Sequence, residues 1–241
     1  MNLCRLELMK IKLSTYLWAI LGIFFSMLAL GVCFLFIYQI ESGASGAPED
    51  TELEMFANWN GLLALTTALA FSCYSVMSAV IAAKVVVSEY CGANAVVLLS
   101  YPVNRKEILR AKCLVVSGVT TVFTFISNTL VLGMMYISAN IFGVKPHMHT
   151  GNFLFTVLIS GFLTGILSSA VGIISTAVGW KKRSAVAAIV CSLVIVCAFA
   201  NCITISPRNI VWVMLAISMV FAIIAAFVYH VLANGIEKME V

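Results

Sequence analysis

Long uncharged, mostly apolar runs alternate along the chain with short segments that hold almost all of its charge. Lys, Arg, Asp and Glu are absent from six runs, at 13–40, 55–83, 113–144, 146–180, 184–207 and 209–236. Each run is long enough for the roughly 20 residues with which a helix crosses a bilayer core, and a charge inside such a helix is costly. The pattern predicts six transmembrane helices, over about 15–40, 58–84, 109–139, 152–180, 184–205 and 209–233.

Composition indicates that this chain is surrounded by lipid rather than water. Hydrophobic residues make up 62% of the 241 residues and charged residues 10%, against roughly 45–50% and about 25% in soluble domains. No polar stretch is long enough for a soluble domain, so we interpret 1–241 as a single all-α transmembrane domain. The net charge of +4 is too small to indicate a nucleic-acid partner. A chain of this composition is expected in the bacterial cytoplasmic membrane.

The distribution of Lys and Arg orients the six predicted helices. With the N-terminus inside the cell, all but two of the 14 basic residues fall in cytosolic segments, and only Lys145 and Arg208 lie outside. Such a bias is what the positive-inside rule describes, so both termini are predicted to be cytosolic. Tryptophans at both ends of the spans agree, with Trp18 and Trp180 near inner ends and Trp59 and Trp212 near outer ends.

The segment before the first span, 4–16, allows two interpretations. Leu6, Met9 and Leu13 share one helical face. The cations Arg5, Lys10 and Lys12 can reach headgroups, a pattern typical of an amphipathic helix on the inner leaflet. The alternative is a positively charged start to the first span.

We do not expect this chain to catalyse a reaction or to power transport by itself. It contains no G-x-x-x-x-G-K-[ST] sequence for binding nucleotide phosphates, and its spans lack the ionisable groups of proton-coupled carriers. His147 and His149 have no Cys or carboxylate within a few residues, which favours a polar loop over a metal site. Asn128, deep in the third span, suggests hydrogen bonding between helices. We therefore predict no catalytic residue, cofactor or metal.

Small residues form a stripe along the fourth predicted span. Gly161, Gly165, Ser169, Gly172 and Thr176 follow one another at steps of three or four residues, which places them on one helical face. Such a face lets another helix approach closely. The stripe serves either packing within the chain or an interface or pathway between two permease subunits.

The connection between the second and third spans carries an unusual charge density. Five basic residues and two acids crowd into "KVVVSEYCGANAVVLLSYPVNRKEILRAK" (84–112) around an apolar stretch, 93–100, that is too short to cross a membrane. Proline 102 ends that stretch, because the residue before a proline disfavours helix. The pattern predicts a short cytosolic helix within 88–106 that docks a partner. The alternative is a surface loop held by anionic lipid.

At these residues the chain resembles the type-2 ABC exporter permeases. Members carry an acid, a Gly-Thr pair, leucines, proline, arginine and a later lysine, and the positions here are Glu89, Leu98, Leu99, Pro102, Arg105, Ile108 and Lys112. Ala93 and Asn94 depart from the Gly-Thr pair. The N-terminal segment "LELMKIKLSTYLWAIL" is similar to the N-terminal start of permeases in one branch of this family. That branch contains lantibiotic-immunity and peptide or multidrug exporters.

The resemblance implies a transmembrane subunit whose energy comes from a separate ATP-binding subunit, where ATP and Mg²⁺ are held. The connection would be a coupling helix in a cleft of that subunit. Val96, Leu98 and Leu99 would fill the cleft, and the contacts at its rim would come from Glu89, Tyr90, Arg105 and Lys106. A second permease copy, or a sister permease, is the other expected partner.

Uncharged spans favour an amphipathic or hydrophobic cargo, such as an antimicrobial peptide or a drug-like compound. The resemblance implies bacteriocin immunity or multidrug resistance as the function. The rival hypothesis is a membrane scaffold that does not transport and docks a different soluble protein through 88–106.

Overall fold

Six long helices make up the computed structural model, which describes residues 13–45, 59–91, 105–142, 153–204 and 209–237. The helices are α1 (Leu13–Ser45), α2 (Trp59–Ala82), α3 (Arg105–Phe142), α4 (Phe153–Lys181), α5 (Ala185–Thr204) and α6 (Ile210–Glu237). All six are long and apolar enough to cross a membrane, and no strand occurs among the described residues. The predicted all-α fold with six spans is confirmed.

The second helix is longer than its hydrophobic run predicts. It continues without a break from α2 through a π-helical turn, Ala83–Val87, and a last α-helical turn, Ser88–Cys91. The sequence places the end of this span at Lys84, but that side chain is exposed, and its ammonium lies 5.8 Å from the centre of the Tyr16 ring. A lysine that reaches the surface in this way does not stop a helix.

Helices α2 and α4 form the centre of the bundle. Helix α4 packs against α2, α3, α5 and α6, while α1 packs against α2 and α3. In the apolar window of each span, 72% of the residues are buried in α2 and 61% in α4, but only 22% in α1 and α5. Most residues in the windows of α1 and α5 are therefore at least partly exposed on the outside of the bundle.

Contacts between helices show that charge collects at one end of the bundle. A Cβ atom added at Gly179 of α4 would lie 3.1 Å from Val87, beyond the end of α2, and one at Gly235 of α6 would lie 2.9 Å from Trp180. Helix α3 runs antiparallel to α4, since Gly161 lies opposite Thr129 and Gly165 opposite Thr121. The described Lys and Arg residues all lie at or near this end: Lys84, Arg105, Lys106, Arg110, Lys112, Lys181, Lys182 and Arg183.

We call this the basic end. It contains the start of α1 and the end of α6, so the first and last spans begin and finish on the same side. That the basic end faces the cytosol stays a prediction, based on the positive-inside rule.

A tight turn joins α4 to α5 at the basic end. Ser184 N–H donates to the Gly179 carbonyl at 3.0 Å and Arg183 N–H donates to the Trp180 carbonyl at 3.1 Å, the bond pattern of a Schellman motif. Arg183 has a φ of 49°, a conformation that glycine usually supplies. The turn reverses the chain within three residues and exposes three consecutive cations.

The stripe of small residues in α4 brings neighbouring helices close. Added Cβ atoms would lie 2.9 Å from the Thr121 carbonyl oxygen at Gly165 and 2.9 Å from Ser78 Cβ at Gly172. Ser169 and Thr176 donate hydrogen bonds to carbonyls of their own helix. These contacts are those of packing within the chain; a role of the stripe in a permease–permease interface stays a prediction.

The tryptophans divide into two kinds. Trp18 and Trp212 are 75% and 73% exposed, near opposite ends of the spans, as expected at membrane–water interfaces. Trp59 is buried instead, with its ring centre 5.8 Å from that of Tyr136. Its position at a helix end therefore reflects packing against α3 rather than contact with headgroups.

Packing between α2 and α4 can be tested at Gly172. We expect Gly172→Ala to lower the free energy of unfolding by about 1–3 kcal/mol, because the new methyl group overpacks against Ser78. Adding Ser78→Gly should restore stability. Unfolding in detergent, followed by circular dichroism, measures the effect.

Gly118→Ala is the matched control, because no described atom outside its own helix lies within 4 Å of that Cβ position. Its stability should stay constant or rise by roughly 0.5–1 kcal/mol through helix propensity. Equal losses for the two alanine variants would contradict close packing at Gly172.

Candidate functional site

A lysine with no exposed surface lies near the start of α3. The side chain of Lys112 is 0% exposed and forms an ion pair with Glu89 at the end of the second helix. Its ammonium also donates a hydrogen bond to the Val85 carbonyl at 3.1 Å. We call Val85, Glu89 and Lys112 the Lys112 cluster.

The local fold explains how these groups meet. Lys112 lies seven residues after the first residue of α3, about 10 Å along the helix axis. Its side chain therefore reaches the second helix inside the bundle rather than at the connection between the two helices. Val85 lies in the π-helical turn, where the Ser88 N–H donates to the Ala83 carbonyl five residues earlier. Such a turn changes the helical register by one residue. Val85 and Glu89, four residues apart, both reach the same ammonium.

Burial makes the Lys112 cluster hard to break. Removing an ammonium from water costs several kcal/mol, which only a close counter-ion and further hydrogen bonds offset. Lys112 has both, while the Glu89 side chain keeps 20% exposure. The cluster ties the end of the second helix to the start of α3 across 23 positions of sequence. It thus closes the base of the connection between these two helices.

The predicted partner-contact residues lie around this closure. Glu89 and Tyr90 belong to the last turn of the second helix, and Arg105 and Lys106 begin α3. Val96, Leu98 and Leu99 fall in 92–104, outside the described residues. The part of 88–106 that is described is helical and continues the flanking spans, so any separate docking helix has to fall within 92–104.

Lys112 was predicted from the sequence as part of the family motif, but its partner was not predicted. Glu89 was predicted to face another subunit, and the structure gives this carboxylate a partner within the chain as well. The available signal was the pair itself, an acid just after one span and a base just before the next. The π-helical turn that brings the Val85 carbonyl to Lys112 has no comparable mark in the sequence.

Among the described residues away from the basic end, the buried polar side chains are uncharged. Most hydroxyls along α3 and α4 donate to carbonyls of their own helix, as Thr120, Thr124 and Thr164 do. Asn128 is fully buried and its amide nitrogen lies 3.6 Å from the Cβ position of Gly161. It makes no hydrogen bond to a described residue, so the predicted interhelical bond is not formed and the amide packs against α4.

Comparison with known proteins identifies the family. Residues 3–201 match the profile of a family described as "ABC-2 family transporter protein". The chain therefore belongs to the ABC-2 transporter family and is a multi-pass membrane component of a transporter. It is also 24% identical over 196 residues to YcbO, an uncharacterized protein of Bacillus subtilis (strain 168), covering 81% of this chain and 82% of that protein. No solved structure matches the chain.

The Lys112 cluster can be tested by separating the two partners. We expect Lys112→Met to lower the free energy of unfolding by roughly 3–5 kcal/mol, because it removes the buried ammonium that pairs with the Glu89 carboxylate. The double variant Lys112→Met with Glu89→Gln should cost less than the sum of the two single changes. Chemical unfolding in mixed detergent measures all three.

Lys84→Met is the control, since it removes an exposed cation from the same end of the bundle. Its effect should stay within about 1 kcal/mol. Strictly additive single effects of Lys112→Met and Glu89→Gln would refute energetic coupling between the partners.

Proposed function

We propose that this chain is the transmembrane subunit of an ATP-driven exporter and works with a separate ATP-binding subunit. Permeases of the ABC-2 family normally work with such a subunit, and this sequence has no phosphate-binding loop of its own. The proposal depends on one observation, the Lys112 cluster. It bonds the two helix ends that flank the connection to each other.

The cluster explains how force on the connection would reach the membrane. A partner that displaces 92–104 pulls on Cys91 and on Arg105, the residues at which the flanking helices end and begin. Without a cross-link, the connection would absorb the movement by changing its own shape. With Lys112 bonded to both Glu89 and Val85, the two helices move together, and both pack directly on α4.

Residues of the connection would supply the contact itself. Val96, Leu98 and Leu99 would enter an apolar cleft of the ATP-binding subunit, and Tyr90, Arg105 and Lys106 would meet its rim. An apolar helix in a groove supplies affinity and the surrounding charges fix its register. The Glu89 side chain keeps 20% exposure beside Lys112 and would also meet the rim.

An amphipathic or hydrophobic cargo fits the composition of the bundle. The described Lys and Arg residues lie at or near the basic end, and most other side chains along the helices are apolar or hydroxylated. An antimicrobial peptide or a drug-like compound is the cargo we propose, and bacteriocin immunity or multidrug resistance would follow from its export.

A second permease, either a copy of this chain or a sister protein, completes the proposed transporter. Helices α1, α5 and α6 have the faces with which such a partner would pack, because each carries several large apolar side chains that are exposed in a single chain. The proposed assembly is a dimer of permeases with two ATP-binding subunits.

Co-purification distinguishes the exporter from the scaffold. The tagged chain, crosslinked in native membranes and then extracted, should carry a stoichiometric protein with a G-x-x-x-x-G-K-[ST] sequence and should hydrolyse ATP. Recovery of a different soluble protein without ATP hydrolysis would favour the scaffold and refute the exporter.

Coupling can be tested by reversing one charge of the connection. We expect Arg105→Glu to abolish export of the cargo while membrane insertion and ATP hydrolysis persist, because the ATP-binding subunit no longer engages the rim in register. Transport into inverted vesicles and phosphate release, measured on the same preparation, give the two rates.

Lys145→Glu serves as the matched charge reversal, in a segment that the positive-inside rule places on the opposite side. It should leave both rates unchanged. Normal export by Arg105→Glu would count against contact between this residue and the ATP-binding subunit.

A further inference from the structure

A groove between α3, α4 and α6 opens toward the lipid. It encloses about 330 Å³ and its lining includes Arg110 and Leu114 of α3, Ile166 and Ile173 of α4, and Ala226 and Tyr229 of α6. On each helix the first and last lining residues are seven positions apart, or about 10 Å along the axis. The groove therefore covers much of the thickness of one leaflet, whose hydrocarbon is roughly 15 Å deep.

The polar groups of the groove are concentrated at one end. Helix α3 starts at the basic end and α6 finishes there, so Arg110 and Tyr229 are the lining residues of these helices nearest to that end. Farther in, the walls are alkyl side chains and two serines, Ser117 and Ser169, whose hydroxyls donate to carbonyls of their own helix. The groove thus has a cationic mouth and an apolar floor.

Arg110 and Lys112 contrast sharply although they are two residues apart. Two residues correspond to roughly 200° around a helix, so Lys112 faces α2 while Arg110 faces the groove. Lys112 is neutralised by Glu89. Arg110 is exposed, makes no ion pair with a described residue, and is the only charged residue among the described residues that line the groove. Its charge is available to an anion at the membrane surface.

We propose that this groove binds an anionic phospholipid of the surrounding bilayer, with the headgroup phosphate on Arg110 and one acyl chain along the apolar floor. Basic pockets between transmembrane helices are recognised sites for anionic headgroups, and guanidinium groups suit the geometry of phosphate. The volume lies at the small end of the roughly 300–1,000 Å³ of small-molecule sites. It suits an acyl chain rather than a second helix, which is about 10–12 Å across.

A bound lipid would link α3 to α4 and α6, whereas the Lys112 cluster links α3 to the second helix. Its chain would lie against α4 and α6 while its phosphate is held two residues from Lys112 on α3. The inference needs only that the chain spans a membrane, and it does not rest on the proposed export function.

Lipid retention tests the proposal. The full-length chain is placed in vesicles of phosphatidylglycerol and phosphatidylcholine in equal parts, extracted into detergent, and examined by native mass spectrometry for the lipids that it keeps. The wild-type chain should retain phosphatidylglycerol in preference to phosphatidylcholine. Arg110→Gln should lower that preference by about fivefold, the ratio that corresponds to one surface cation.

Three variants make the result specific. Arg110→Lys keeps the charge and should keep most of the preference. Ala226→Phe fills the groove without a change of charge and should reduce retention of phosphatidylglycerol although Arg110 is present. Lys182→Gln removes an exposed cation from the α4–α5 turn, outside the groove, and should leave the preference unchanged.

Several outcomes would overturn the proposal. Unchanged preference in Arg110→Gln or in Ala226→Phe would show that the lipid binds elsewhere. An equal loss in Lys182→Gln would indicate general attraction of anionic lipid to the basic end. Failure of the wild-type chain to distinguish the two lipids, or replacement of lipid by a second copy of the chain, would also refute it. If Arg110→Gln does not fold, Arg110→Lys and Ala226→Phe decide the matter.

Discussion

The hydrocarbon core of a bilayer offers no water to a peptide group, so backbone N–H and C=O groups that cross it need partners within the protein. In this chain that constraint produces six helices of 20 to 38 residues, in which most buried hydroxyls also donate to carbonyls of their own helix. The same constraint removes charge from the spans. The described cations lie at or near one end of the bundle, where headgroups and water are within reach.

Lys112 is the exception to this sorting, because it is a cation without exposed surface. It is tolerated because a carboxylate and a backbone carbonyl from the neighbouring helix satisfy it, and the cost of separating them makes the junction rigid. A stiff junction at the base of a connection between two spans is what a membrane subunit needs if movement is to pass through that connection. The chain belongs to the ABC-2 family, whose permeases normally work with an ATP-binding subunit.

Much of the fold was open to prediction from the sequence. The six spans follow from uncharged runs, since charge in hydrocarbon is expensive wherever it lies in the fold. The stripe at Gly161, Gly165 and Gly172 predicted close helix packing, and these glycines do lie against α2 and α3. The candidate site was only partly predicted: the connection and Glu89 were singled out, but the carboxylate was assigned to another subunit because its partner is 23 positions away.

The sequence by itself therefore determined the features that depend only on a residue and its solvent. These are which segments are helical, which cross the membrane, and where charge is excluded. The tertiary structure alone decided which helix each polar group faces. Arg110 and Lys112 are equivalent cations in the string "ILRAK", yet one lies in a groove that opens to lipid and the other is sealed against α2. Their difference comes from the rotation of α3 against its neighbours, which is set by packing among helices far apart in sequence.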